Sequence, residues 1–330
     1  MFTLRFDMRA PDWAGMAGDL YAVSVEMCAW SEDRGAVLAV LSEHHGTEDG
    51  HLPAPLLLAS AIAARTSQLR IMLAAIPLPL WDPIRLAEQI AVLDLISAGR
   101  VSYAFGVGHR AEEYHHFGVD MTRRGRLADE YLPLLRRLVQ GQPAEHHGTT
   151  VQVTPACGTA GGPMMLIAGG SAAAARRAGR HGLGFISQSA DPALKAYYEA
   201  ACTESGHQPG LVQFPTKGAP TTVFVSDDPD RAWSELGPHL LHDAAMAASY
   251  RHGDDTVASI TRARSVGDLR QPDSPYRILT PVQAGEMLRA GQLLPLHPLC
   301  GGIPPDLAWP YLQAAAQCCV APATGEGIDQ

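Results

Sequence analysis

The chain has 330 residues, 46% hydrophobic and 18% charged, enough to bury a large core in one barrel or to divide into two domains. Its 34 Asp and Glu outnumber 25 Lys and Arg, leaving a net charge of -9; without a basic stripe, nucleic acid is excluded as an expected partner. No run of 18 apolar residues occurs and the first residues carry no basic-then-apolar pattern, so neither a membrane span nor a signal peptide is expected, and a cytoplasmic location is. Six cysteines without CxxC spacing read as reduced thiols.

Short apolar runs alternate with helical stretches along the chain, the rhythm of βαβ units and a parallel sheet. The first predicted strands are Leu4 to Met8 and Ala36 to Leu41. The second runs into Ser42-Glu43-His44-His45-Gly46, three ionisable groups where a barrel strand meets its catalytic rim. An imidazole there can move a proton or stabilise negative charge. Glu43 and His44 are the candidate catalytic residues, His44 first; an ion pair for Glu43 and a loop hydrogen bond for His45 are the plain alternatives. A Glu-His-His run can also ligate a metal, as in a barrel hydrolase. Adjacent residues of an extended strand point to opposite faces, which argues against His44 and His45 sharing an ion.

The third strand is predicted over Leu69 to Ile76. A helix follows, capped by Asp82 with Pro83 at its first position, apolar on the face of Leu86, Ile90 and Leu93, and stopped at Gly99. The fourth strand, Val101 to Val107, leads into Gly106-Val107-Gly108-His109-Arg110. Its small residues let a flat ligand approach, and His109 and Arg110 offer donors. A salt bridge from Arg110 to Glu112 or Glu113 is the alternative use. The full dinucleotide fingerprint is absent after the first strand. A helix is predicted from about Arg126 to Val139, with Pro133 expected to kink it.

Residues 141 to 162, rich in Gly, Pro and Thr, read as a surface insertion. A fifth strand, Met164 to Ala168, stops at Gly169-Gly170, and Ser171 starts a helix. Glycine lets the backbone approach an anion, and the helix start offers free amides beside a hydroxyl, a natural phosphate cradle. A tight turn with an ordinary serine cap gives the same pattern. Strands at Leu183 to Ser187, Thr221 to Val225 and Leu293 to His297 complete eight. The fold expected is α/β, a single (β/α)8 TIM barrel over 1–330. Insertions lie at 141–162 and at 251–275, the latter placed to cover a substrate, with disorder without function as the plain alternative.

In order along the chain, SEHHG, LAAIPLPLWDPIRLAEQIAVLDLISAGRVSYAFGVG, EEYHHFGVD, LIAGGSAAAARRAGRHGLG and HPLCGGIPPDLAWPYLQAAAQCCVAP resemble the luciferase-like flavin-dependent family. The resemblance spans nearly the whole chain and is weakest over 141–162 and 237–292. It implies that His44 lies at the reactive edge of a flavin ring, over a non-prolyl cis peptide at Ala74-Ala75. It further implies that Gly169, Gly170 and Ser171 contact the phosphate, with Gly106, Gly108, His109 and Arg110 also at the cofactor. Luciferase carries an arginine near the position of His109, so the identity of the phosphate-gripping residue stays open.

The activity the resemblance implies is that of a two-component monooxygenase. FMN, reduced by a separate flavin reductase, would act with oxygen on a small organic substrate. The alternatives are hydride transfer with the deazaflavin coenzyme F-420, and a non-catalytic flavin-binding subunit. A homodimer packed through barrel helices is also implied.

Overall fold

The computed structural model describes residues 1–216, 218–251 and 257–319. Ten strands form one parallel sheet. They are β1 (Phe2–Phe6), β2 (Ala36–Leu41), β3 (Arg70–Pro77), β4 (Val101–Gly106), then β7 (Met165–Gly169), β8 (Gly184–Ser187), β9 (Val212–Gln213), β10 (Thr222–Val225), β11 (Tyr276–Leu279) and β12 (Leu294–Leu296). Between β4 and β7 lies a separate antiparallel hairpin, β5 (Ala144–His146) and β6 (Thr149–Val151). The hydrogen-bonded order of the sheet is β11-β10-β12-β1-β2-β3-β4-β7-β8-β9. The last strand therefore pairs with the first, Phe2 against Leu294, and the sheet curls into a (β/α)8 barrel with helices on its outside.

Eight of these strands coincide with the predicted ones to within two residues. The first differs most, starting at Phe2 and ending at Phe6. The reason is at Met8, whose φ of 60° breaks extension, because a left-handed backbone cannot continue a strand. Phe2, Leu4 and Phe6 are fully buried while Thr3 and Arg5 are not, the period of two that separates a helix-facing side from a lumen-facing side. Two short strands, β9 and β11, are additional.

The helix Pro83–Ser97 carries out its predicted program. The Asp82 carboxylate accepts from the amides of Ile84 at 3.0 Å and Arg85 at 2.9 Å, and Leu86, Ile90 and Leu93 are buried. Its left-handed stop begins one residue early, at Ala98 with φ 51°, and continues through Gly99. The following long helix, Arg124–Val139, starts two residues before its prediction and carries Pro133 inside. In the 141–162 insertion, His147 and Gly148 both have positive φ, the two-residue turn that suits a twisted hairpin. The buried Asp94 anchors that insertion, its carboxylate accepting from the Thr159 amide at 2.8 Å and hydroxyl at 2.7 Å. No helix among the described residues is long and apolar enough to cross a membrane.

Candidate active site

The carboxyl ends of β2, β3, β4 and β7 open onto one cavity of about 630 Å³, within the roughly 300–1,000 Å³ of cofactor-sized pockets. Its floor is small. Ala74 and Ala75, joined by a cis peptide, lie beside Gly106, Gly108, Gly169 and Gly170 along the cavity wall. A Cβ on Gly169 would sit 2.7 Å from the Cβ of Ala174, so only glycine lets β7 pass so close to the helix that follows. Gly108 has φ 67°, a left-handed turn that redirects the chain after β4.

At one end of this cavity His44 stands in a web of buried groups. Its Nδ1 lies 2.8 Å from Glu113 Oε1, which also accepts from the His45 amide at 3.0 Å and from Arg110 at 3.2 Å. Burial pushes the Glu113 carboxyl up, but the bond from His44 and the charge of Arg110 hold it below its ordinary value. An ionised carboxylate can only accept, so His44 carries its proton on Nδ1 and leaves Nε2 as an acceptor. Burial lowers the His44 pKa, and the Glu113 bond offsets that only in part. His44 is therefore neutral near pH 7.

The neighbouring groups take separate roles. His45 turns to Glu43, 2.9 Å away, and Trp81 Nε1 donates to the same oxygen at 2.9 Å. Burial raises the Glu43 pKa. Glu43 and His44 both reach the cavity wall, whereas His45 does not. With His44 on Glu113 and His45 on Glu43, the run is not gathered round one ion. Among the described residues the group of three metal-ligand types that does converge is Asp243, His297 and Cys300, deep in the barrel. There Tyr276 donates to Asp243 at 2.7 Å and Arg9 lies 3.4 Å from it, a setting that disfavours a cation.

His109 also lines the cavity, its ring 5.6 Å from that of His44. Burial and the charge of Arg251 push its pKa down to about 3. Its Nε2 is buried without a hydrogen-bond partner among the described residues, an orphan that points to a ligand atom. Arg110, in contrast, is absent from the wall. Its guanidinium bonds the His45 carbonyl at 2.8 Å and stacks 4.3 Å above the Tyr250 ring. The Arg110–Glu113 ion pair thus forms, but as a buried brace for His44.

At the far end, Ser171 caps the helix Ala172–Arg180, its hydroxyl accepting from the Ala174 amide at 3.3 Å. Ser171, Ala173 and Ala174 face the cavity together with Thr122, Arg124 and Arg177. Arg177 is held by Asp129 at 2.8 Å; Arg124 bonds only the Met121 carbonyl of its own turn, at 3.1 Å, among the described residues. Arg124 and Tyr250 are site residues that the motifs did not reveal, and Glu113, read in the sequence only as a salt-bridge partner for Arg110, also holds His44. The small floor, the orphan imidazole nitrogen and the donor-rich helix start suit a planar ring with a phosphate tail.

Fold and site together define a barrel with a cofactor-sized mouth. The model of the luciferase-like monooxygenase family matches residues 11–293, and the chain belongs to that family. It is 32% identical over 132 residues to the oxygenase component of a flavin-dependent trigonelline monooxygenase from Acinetobacter baylyi, 39% of this chain and 36% of that one. It is 31% identical over 188 residues to the alkanal monooxygenase alpha chain of Photorhabdus luminescens, 54% and 52% of the two chains. The matched stretches span less than two thirds of these curated relatives' length. Among solved structures, a monooxygenase from Streptomyces bottropensis superposes with a TM-score of 0.74 at 21% identity, covering 96% of this chain and 98% of that one. The oxygenating constituent of 3,6-diketocamphane monooxygenase from Pseudomonas putida, in complex with FMN, gives 0.70 at 19%, covering 97% of both.

Proposed function

We propose that the protein is the oxygenase of a two-component flavin monooxygenase, taking reduced FMN from a separate reductase. The observation that carries this reading is one cavity that joins a neutral His44 to the Ser171 helix start and Arg124. Membership of the luciferase-like family supports it. Reduced FMN would supply two electrons to dioxygen, one oxygen atom entering the substrate and the other leaving as water.

The residues of the chain do the rest. Ala74, Ala75, Gly106 and Gly108 would let a planar ring lie against backbone, where any larger side chain would lift it. Gly169, Gly170, Ser171 and Arg124 would hold the phosphate, by backbone approach, amide and hydroxyl donors, and a permanent charge. His44 Nε2 accepts a proton at the cavity edge, and Glu113 then faces the imidazolium and stabilises it. Glu43, kept from its ordinary acidity by burial, supports the His45 side of the loop. The 251–275 segment supplies Arg251 and Val257 to the cavity and in this reading excludes water; its residues 252–256 lie outside the described residues. We also propose a homodimer in the cytoplasm. Leu57, Val92, Leu95 and Ile96 are exposed on the helices Pro55–Arg65 and Pro83–Ser97, apolar area that a second copy would cover.

Anaerobic titration with reduced FMN, oxidised FMN and the deazaflavin coenzyme F-420 tests the cofactor. Reduced FMN is expected to bind most tightly. Tight binding of the deazaflavin alone would replace oxygenation by hydride transfer.

A further inference from the structure

The loop that leaves β2 folds back on itself. The His44 amide donates to the Leu52 carbonyl at 3.1 Å, and the Leu52 amide to the Asp7 carbonyl at 2.8 Å, which returns His51 to the end of the strand the chain has just left. There the His51 Nε2 lies 2.9 Å from Ser42 Oγ, and the buried ring packs edge-on against His44 with centroids 4.6 Å apart. Leu41 is in register with Leu73, so Ser42, the next residue, comes beside Ala74 at the cavity floor.

Ser42 stands where two spaces meet. A second chamber of about 180 Å³ shares Ser42, His44, Ala74, His109 and Arg251 with the main cavity and has His51 on its wall. Among the described residues its charged groups answer one another. Arg9 lies 2.6 Å from Asp49, 3.4 Å from Asp7 and 3.4 Å from Asp243, and Arg5 lies 3.8 Å from Asp243. Arg251 is engaged as well, by Gln188 at 3.4 Å among others. Hydrogen bonding to a ligand therefore falls to uncharged side chains.

Burial, and after it the charge of Arg9, hold the His51 pKa well below its ordinary value, so the ring is neutral and carries one N–H. Its Nδ1 is buried without a hydrogen-bond partner among the described residues. An N–H on that nitrogen would be a buried donor without an acceptor, whereas on Nε2 it donates to Ser42 Oγ. The Ser42 hydroxyl, its oxygen engaged as an acceptor, then turns its own hydrogen to the cavity. A leucine would fill the position of His51 without the cost of burying a polar ring; what the imidazole adds is the direction of that hydroxyl.

We propose that Ser42 binds the substrate, donating to an uncharged oxygen acceptor held beside His44, and that His51 is its positioning residue. The inference rests on the flavin reading, in which the ring lies over Ala74 and the substrate meets it from the chamber side. A hydrocarbon would leave the Ser42 hydroxyl unpartnered in an enclosed space, the loss by which polar sites reject apolar analogues. At about 180 Å³ the chamber falls below the roughly 300 Å³ where drug-sized pockets begin, which confines the body of the substrate to a single ring or a short chain.

The test uses the full chain saturated with reduced FMN in the absence of oxygen. It compares pairs of like shape that differ in an acceptor oxygen, cyclohexanone with methylenecyclohexane and anisole with ethylbenzene, by equilibrium binding followed by NMR. In at least one pair Ser42→Ala is expected to shift the affinity ratio about tenfold toward the apolar member, with reduced-FMN affinity unchanged. Ser42→Thr, which keeps a hydroxyl, should leave the ratio near that of the wild type. His51→Leu should shift it in the same direction as Ser42→Ala, and histidine nitrogen NMR of the wild type should place the His51 proton on Nε2. Should Ser42→Ala fail to fold, Ser42→Cys, a weaker donor, should move the ratio the same way. Binding of none of the four probes, ratios unmoved by loss of the hydroxyl, a loss of flavin affinity in its place, or a His51 proton on Nδ1 overturns the assignment. Failure of reduced FMN to bind the wild type overturns the flavin reading instead, so the two failures are distinct.

Discussion

His44 owes its protonation state to a residue 69 positions away. With Glu113 ionised on Nδ1, the free Nε2 is the atom that handles a proton, and Glu113, itself on the cavity wall, positions it. Replacing His44 with Ala should lower kcat by about 10²- to 10⁴-fold, the usual contribution of general acid–base catalysis. Glu113→Gln can donate to Nδ1 and permit the other tautomer. It should lower kcat by about 10²-fold and move the pH profile while leaving flavin affinity unchanged; a shifted affinity with an unmoved profile would make Glu113 merely structural. His109 bears on stability. Its folded pKa, about 3, lies below the unfolded value of roughly 6.5, so the folded state binds fewer protons. Its contribution is intact above pH 6.5 and declines as pH falls toward 3. His51, lowered well below its ordinary value mainly by burial and by Arg9, acts in the same direction. Proton uptake on unfolding at pH 5 should therefore drop by about one in His109→Gln, measurable from the pH slope of urea stability.

The elements that carry the site were legible where local chemistry repeats a rule. Eight strands, the Asp82 and Ser171 caps and the glycine turns after β4 and β7 follow from periodicity and capping alone. The two-residue β9 is shorter than any periodic signal, and β11 follows the polar stretch of the 251–275 insertion, which hid it. Arg110 read as a cofactor donor because its distance to the rim is visible in sequence, but the His45 carbonyl and Tyr250 ring that claim it are not. Arg124 escaped notice because nothing local distinguishes it from its neighbours Arg123 and Arg126. Two predictions belong to these elements. Asp82→Ala should cost about 1 kcal/mol, the worth of a helix cap, seen as a lower urea midpoint. Arg124→Met should weaken FMN about tenfold or more and leave riboflavin, which lacks the phosphate, unchanged; equal losses for both would place the phosphate elsewhere.

At the scale of the whole molecule, the barrel brings to one mouth residues from the start, middle and end of the chain. Arg9 and Tyr250, 241 positions apart, share a hydrogen bond of 3.1 Å, and Arg9 also donates to Asp49 at 2.6 Å. Such pairings arise from closure of the sheet, β12 on β1, and no local pattern announces them. The outer surface makes a separate demand: Leu57→Glu with Ile96→Glu should convert a dimer to a monomer in light scattering. A wild-type monomer would remove that proposal while leaving the mouth intact.

Hydrogen–deuterium exchange with and without FMN addresses the flavin site most directly. Slower exchange is predicted in the segments around 42–46, 74–78, 105–110, 122–128 and 168–175, which line the mouth. Binding of FMN with protection confined to other segments, or with none in these, would contradict the account.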